Sequence, residues 1–151
     1  MLPPEPGVGA SHSEIGADMT PFPTAGHLLS WAGLVPRLDE SAGKRRSTRV
    51  RKGAPWLKPV LVQCAWSASR TKGTYYQAQF FRLKARRGPK KAAIAVAASL
   101  LTAAYHMLKN GTFHQDLGAD FLVQHDKPRI ATKLANRLKD LGYDVSFTLA
   151  A

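Results

Sequence analysis

The chain has one cysteine, Cys64. An intrachain disulfide is therefore impossible, and a reducing compartment such as the cytoplasm fits. Acidic side chains are sparse and unevenly spread. The ten are Glu5, Glu14, Asp18, Asp39, Glu40, Asp116, Asp120, Asp126, Asp140 and Asp144, with none between Ser41 and Gln115. Long apolar runs are also missing. The best candidate, residues 92–108, is 17 residues long, rich in alanine and interrupted by Ser99, Thr102 and His106. A spanning helix needs about 20 apolar residues, so a buried helix and no membrane contact are expected. The first residues lack a basic start followed by an apolar stretch, so no signal peptide is expected. No internal repeat is present. A hydrophobic fraction of 44% argues against a wholly disordered or collagen-like chain.

Positive charge is what remains conspicuous. The 151 residues suffice for one ordinary domain, and 22 Lys plus Arg against 10 Asp plus Glu give a net charge of +12. Sixteen of the cations lie from Lys44 to Lys109, inside the acid-free stretch. Like charges repel, so a folded surface normally mixes both signs. A run this one-sided implies an external polyanion, most often nucleic acid and sometimes a membrane surface.

The local pattern is helical. Thr24 reads as an N-cap for a helix over residues 25–32, stopped by Gly33. Residues 35–53 read as a basic loop. A helix is expected over about 55–70, with Pro59 tolerable within its first turn. Two apolar stripes share it, Trp56, Val60, Cys64 and Ser67 on one and Leu57, Leu61 and Ala65 on the other. Thr74 caps a further helix that ends near Arg87-Gly88, and Pro89 opens another that stops at Gly111. The last helix is expected over about 128–141, with Ile130, Leu134, Leu138 and Leu141 on one face. Residues 143–149 suit a short strand or ordered tail. The expected fold is mainly α, a compact helical domain with a basic loop and a short C-terminal strand.

Two cationic clusters stand out. Lys44, Arg45, Arg46, Arg49, Arg51 and Lys52 are interleaved with Ser47 and Thr48. Guanidinium forks match phosphate oxygens and hydroxyls add donors, which suits backbone contact without base reading. Arg82, Lys84, Arg86, Arg87, Lys90 and Lys91 gather around a helix–helix corner, and could track a second strand. The aromatic residues Trp31, Trp56, Trp66, Tyr75, Tyr76, Phe80 and Phe81 sit at helical spacings and read mostly as core, although Tyr75 or Tyr76 could stack a base. His106, His114, Asp116, Asp120, His125 and Asp126 match no zinc spacing, and no metal site is assigned. Cys64 is expected to be buried and inert.

An ordered set of segments carries a resemblance. Glu14-Ile15-Gly16-Ala17-Asp18-Met19 and Phe22-Pro23-Thr24-Ala25 lead into Ser30-Trp31-Ala32-Gly33-Leu34-Val35-Pro36. Glu40-Ser41-Ala42-Gly43-Lys44-Arg45-Arg46-Ser47, Arg51-Lys52-Gly53 and Trp56-Leu57 follow, then Tyr105-His106 and Asp116-Leu117-Gly118-Ala119-Asp120-Phe121. The series resembles the C-terminal domain of the one-ten family of bacterial insertion-sequence transposases. That resemblance implies a DNA transposase in which Ser41, or as runner-up Ser47, is the nucleophile for phosphodiester transfer. It implies DNA as partner, a structured guide RNA in some members, homo-oligomers on DNA and a bacterial, nucleoid-associated location. It also implies magnesium held by four acidic residues of an N-terminal nuclease-like domain, with no cofactor in this chain.

The sequence departs from the family pattern. The acidic domain is absent, so the chain reads as a truncated frame that is incomplete as an enzyme by itself. The expected division is an N-terminal remnant over 1–23 with a Pro6-Gly7-Val8-Gly9 turn, a transposase domain over 24–122, and a C-terminal helix and tail over 123–151. The competing expectations are a non-catalytic RNA- or DNA-binding protein and an inactive transposase remnant.

Overall fold

The computed structural model describes residues 15–37, 39–47 and 49–148, and at Asp39, Glu40, Arg45 and Arg46 the backbone only. The elements are α1 (Ala25–Trp31), β1 (Asp39–Ser41), β2 (Lys44–Ser47), α2 (Leu57–Arg70), α3 (Tyr75–Arg87), α4 (Pro89–Asn110) and α5 (Phe121–Asp140). The fold is mainly helical, as the sequence pattern predicts. The Pro6-Gly7-Val8-Gly9 turn lies outside the described residues.

The core forms around α4, which packs on α1, α2 and α3. Pro89 occupies its first turn, where a missing N–H costs nothing, and Gly111 (φ 62°) closes it by donating to the Met107 carbonyl. Ala92, Ala93, Val96, Ala97, Leu101 and Tyr105 are buried along α4. Four of the six are small or β-branched, so neighbouring helices approach closely. In length and composition α4 could cross a bilayer. Here its apolar face meets Leu28, Ala65 and Phe80 within one hydrophobic cluster. The Tyr105 hydroxyl reaches the carbonyls of Phe22 (2.9 Å) and Pro23 (3.0 Å), tying the entry of α1 to the end of α4.

Four residues join α2 to α3, so the two helices run antiparallel. The rings of Trp66 and Phe80 meet at 5.4 Å. That contact sets the register, and Leu57 at the start of α2 lies level with the α3–α4 corner at Gly88-Pro89. Gln79 Nε2 donates to Ser99 Oγ at 2.8 Å, which sets the antiparallel register of α3 against α4. Thr74 caps α3 by accepting from the Gln77 amide. Pro59 is the third residue of α2, within the first turn.

Several expectations are corrected. Of the two stripes on α2, the one carrying Ala65 is buried. Trp56 is 75% exposed, Val60 54% exposed, and Cys64 is also exposed. The stripes sit one residue, about 100°, apart. Periodicity cannot choose between them, whereas the close approach of α4 selects the face with the smaller residue. Phe81 is likewise outside the core. The last helix begins at Phe121, not near residue 128, and carries Pro128 inside it. Residues 143–148 form no strand.

The region 35–53, expected as loop, contains an antiparallel hairpin. Asp39 pairs with Ser47, Glu40 with Arg45 and Ser41 with Lys44. Ala42 (φ 51°) and Gly43 (φ 73°) make the two-residue turn. Positive φ at both central positions is the geometry that matches the twist of two paired strands. Pro36 bridges Val50, and the Arg37 amide donates to the Arg49 carbonyl at 3.0 Å.

Candidate nucleic-acid interface

The hairpin is an arm. Among the described elements it packs on no helix. Among the described residues it joins the bundle at a neck where the outgoing and returning chains cross. A Cβ on Gly53 would lie 2.0 Å from the Ala32 carbonyl oxygen, and one on Gly33 (φ 70°) would lie 2.7 Å from Gly53 Cα and 2.8 Å from the Arg51 carbonyl oxygen. Only glycine permits that crossing on both chains. Lys58, in the first turn of α2, donates from Nζ to the same Arg51 carbonyl at 2.8 Å.

Ser41 is exposed at the end of β1, next to the turn. Its cross-strand partner Lys44 is exposed too. Directly paired residues hold their Cβ atoms about 5 Å apart, so the ammonium of Lys44 can reach a group bound at the Ser41 hydroxyl. Ser47 is half-buried, and its Oγ accepts from the Arg49 amide at 3.2 Å. Arg45 and Arg46 lie on β2, with their side chains outside the described residues. Arg49, Arg51 and Lys52 are exposed along the return to the neck.

The second cluster sits at the helix corner. Arg86 and Arg87 end α3, and Lys90 and Lys91 begin α4, all four exposed. Cations at a helix C-terminus complement its dipole. Lys90 and Lys91 oppose it, so their location has no explanation in helix stability. The antiparallel register brings this corner level with the start of α2, where the arm emerges. The root of the arm and the second cluster therefore occupy one end of the bundle. Asp116 lies at the other end, accepting from the Tyr75 amide at the N-terminus of α3.

At that other end, Tyr75, Tyr76, Ser99, Thr102, His114 and Asp116 line an open groove of about 420 Å³. The ring of Tyr76 stacks on His114 at 5.8 Å. Burial pushes the Tyr76 phenol up from its ordinary value, with Asp116 and Tyr75 adding to the effect. Tyr75 packs edge-on against Tyr76 and Phe121, so both tyrosines serve packing and lie away from the basic arm. Among the described residues no three His, Cys, Asp or Glu side chains gather as metal ligands.

Sequence reasoning missed Gly33, Gly53 and Lys58 as determinants of the site. The glycines are visible as the two ends of the segment, but their crossing is a tertiary fact. Burial lowers the affinity of Lys58 for its proton.

Residues 8–81 match the family model for the transposase IS116/IS110/IS902 family, a stretch that includes α1, the arm, α2 and the first half of α3. The chain is also 33% identical, over 121 residues, to the uncharacterized 43.6 kDa protein of insertion element IS110 from Streptomyces coelicolor. That match covers 73% of this chain and 28% of the relative's length. No solved structure matches the chain.

Proposed function

We propose that the chain is a DNA-binding transposase domain of this family, C-terminal in the full protein, whose arm delivers Ser41 to a phosphodiester. The observation that carries the reading is the exposed Ser41 beside a two-residue turn, paired with the exposed Lys44, on an arm that packs on no helix among the described elements. The family match across this same segment supports it.

In the proposed step, Ser41 Oγ bonds to phosphorus and one P–O bond of the DNA backbone breaks. The serine proton leaves, and the departing DNA oxygen takes up a proton to become a free hydroxyl. One phosphate ester replaces another, so the bond energy is kept for rejoining. A serine hydroxyl is a weak nucleophile and needs a base, a metal or a positive field. Lys44 across the ladder supplies the field on this chain and stabilises charge growing on the phosphate oxygens. Arg45, Arg46, Arg49, Arg51 and Lys52 grip the adjacent backbone, and Arg86, Arg87, Lys90 and Lys91 hold a second segment of DNA or a structured RNA. Ser47 is the weaker candidate because its oxygen already serves the Arg49 amide. The protein would act in the cytoplasm on nucleoid DNA, as a homo-oligomer that aligns two ends.

The test is recombination, and capture of a covalent protein–DNA adduct, with Ser41→Ala and Ser47→Ala made in a full-length relative. Ser41→Ala should abolish both signals while Ser47→Ala retains them. Retention by Ser41→Ala would overturn the assignment.

A further inference from the structure

We propose that Lys58 is a positioning residue for the Ser41 arm, locking its neck to the first turn of α2 so that the hydroxyl meets its phosphate at a set angle. The inference rests on the arm's proposed role in strand transfer. Three observations converge on it.

The arm touches no helix among the described elements, so its direction is decided at the neck alone. The Gly33–Gly53 crossing holds the two chains together by close backbone contact, with no side chain to tie either one to a helix. The bond from Lys58 Nζ to the Arg51 carbonyl, at 2.8 Å, ties the returning chain to a rigid helix. That carbonyl also lies against Gly33 of the outgoing chain, so the bond is made at the crossing itself.

Lys58 is also misplaced for any purpose of α2 itself. A cation in the first turn opposes the helix dipole. The turn contains no acid to offset it, and Trp56 at the N-cap makes no side-chain cap bond. The partial burial that weakens its hold on the proton adds a second cost. The carbonyl bond compensates for both, and its beneficiary is the arm.

The experiment compares Lys58→Met, which keeps the apolar stem and loses the donor, with Lys58→Arg, which keeps a cationic donor. Both are made in the full chain, and the equivalent changes are made in the full-length relative. In the relative, Lys58→Met should lower the maximal rate of covalent DNA transfer about tenfold, the size of one charge-assisted hydrogen bond. KM for DNA and the unfolding temperature should hold, and Lys58→Arg should recover most of the rate. A rise in KM at unchanged rate would make Lys58 a phosphate contact and overturn the proposal, as would an unchanged rate. In the full chain, amide exchange at Arg37, which donates across the neck, should accelerate several-fold in Lys58→Met relative to the α4 amides. Unchanged exchange there overturns the proposal even if no DNA transfer is found. Failure of the Ser41 test with accelerated Arg37 exchange would sink the nucleophile and leave the lock standing.

Discussion

Arg82 of α3 and Asp126 of α5 form an ion pair that holds the last helix to the bundle, 44 residues apart in sequence. The only element that α5 packs on, among those described, is α3. The Arg82 hydrogen bond, then that of His125, holds the Asp126 carboxyl below its ordinary value. A depressed folded value means the contact is intact above the usual carboxylate range and is lost as pH falls through the lowered value. Titrating the protein into acid should therefore shift the NMR signals of α5 before those of α4. Arg82→Met should move the Asp126 midpoint upward, and an unmoved midpoint would contradict the pairing.

Gly53→Ala should be among the most damaging small substitutions in the chain. The added methyl group would overlap the Ala32 carbonyl at 2.0 Å, and that carbonyl belongs to a fully buried residue. A loss of about 3 kcal/mol is expected, read as a lower urea midpoint, with the arm displaced if the protein still folds. Gly43→Ala at the turn meets nothing within 4 Å and should cost only the conformational penalty of about 1 kcal/mol.

Ala42 carries a strain that glycine or asparagine would not. Its φ of 51° is the only positive value at a non-glycine residue among those described. Ala42→Asn creates an Asn-Gly turn, the preferred pair for this geometry. The arm should gain up to about 1 kcal/mol of local stability, seen as slower amide exchange at Ser41 and Lys44. Ala42→Val should do the reverse.

Tyr105→Phe tests the link between α1 and α4. The change removes the donor to the Phe22 and Pro23 carbonyls while keeping the ring in the core. Leaving a buried carbonyl short of its donor should cost about 1–2 kcal/mol in denaturant unfolding. Lys109, which reaches Pro23 at 3.4 Å, compensates only in part.

Binding of the chain to duplex DNA should weaken steeply as salt rises, because each neutralised phosphate releases counterions. Lys90→Gln with Lys91→Gln should flatten the slope of log K against log salt by about 0.9 per lost contact. A flat response in the unaltered chain would exclude phosphate contact as the source of affinity.

Helix ends were legible one residue at a time. Thr24 and Thr74 cap where their hydroxyls predict, and Gly88 and Gly111 stop helices where positive φ is needed. The arm was not legible as strand, because Asp39–Ser41 and Lys44–Ser47 lack the alternation of apolar residues that marks a half-buried sheet. Its pairing comes from a turn and a neck, and the neck joins residues twenty positions apart. The face of α2 was ambiguous for a related reason: Cys64 and Ala65 both continue apolar stripes, and only the neighbouring helices distinguish them.

The sequence alone determined the helical class, the helix boundaries set by caps and glycines, and the confinement of acids to the two ends of the chain. Each of these is local or additive, so linear order suffices. Tertiary structure decided which side of each helix is inside, that the root of the arm and the Arg86–Lys91 cations share one end of the bundle, and that Ser41 stands at the tip of an arm. Those facts depend on antiparallel packing and on two backbones touching at Gly33 and Gly53. Such contacts bring together residues whose separation along the chain carries no sign of their distance in space.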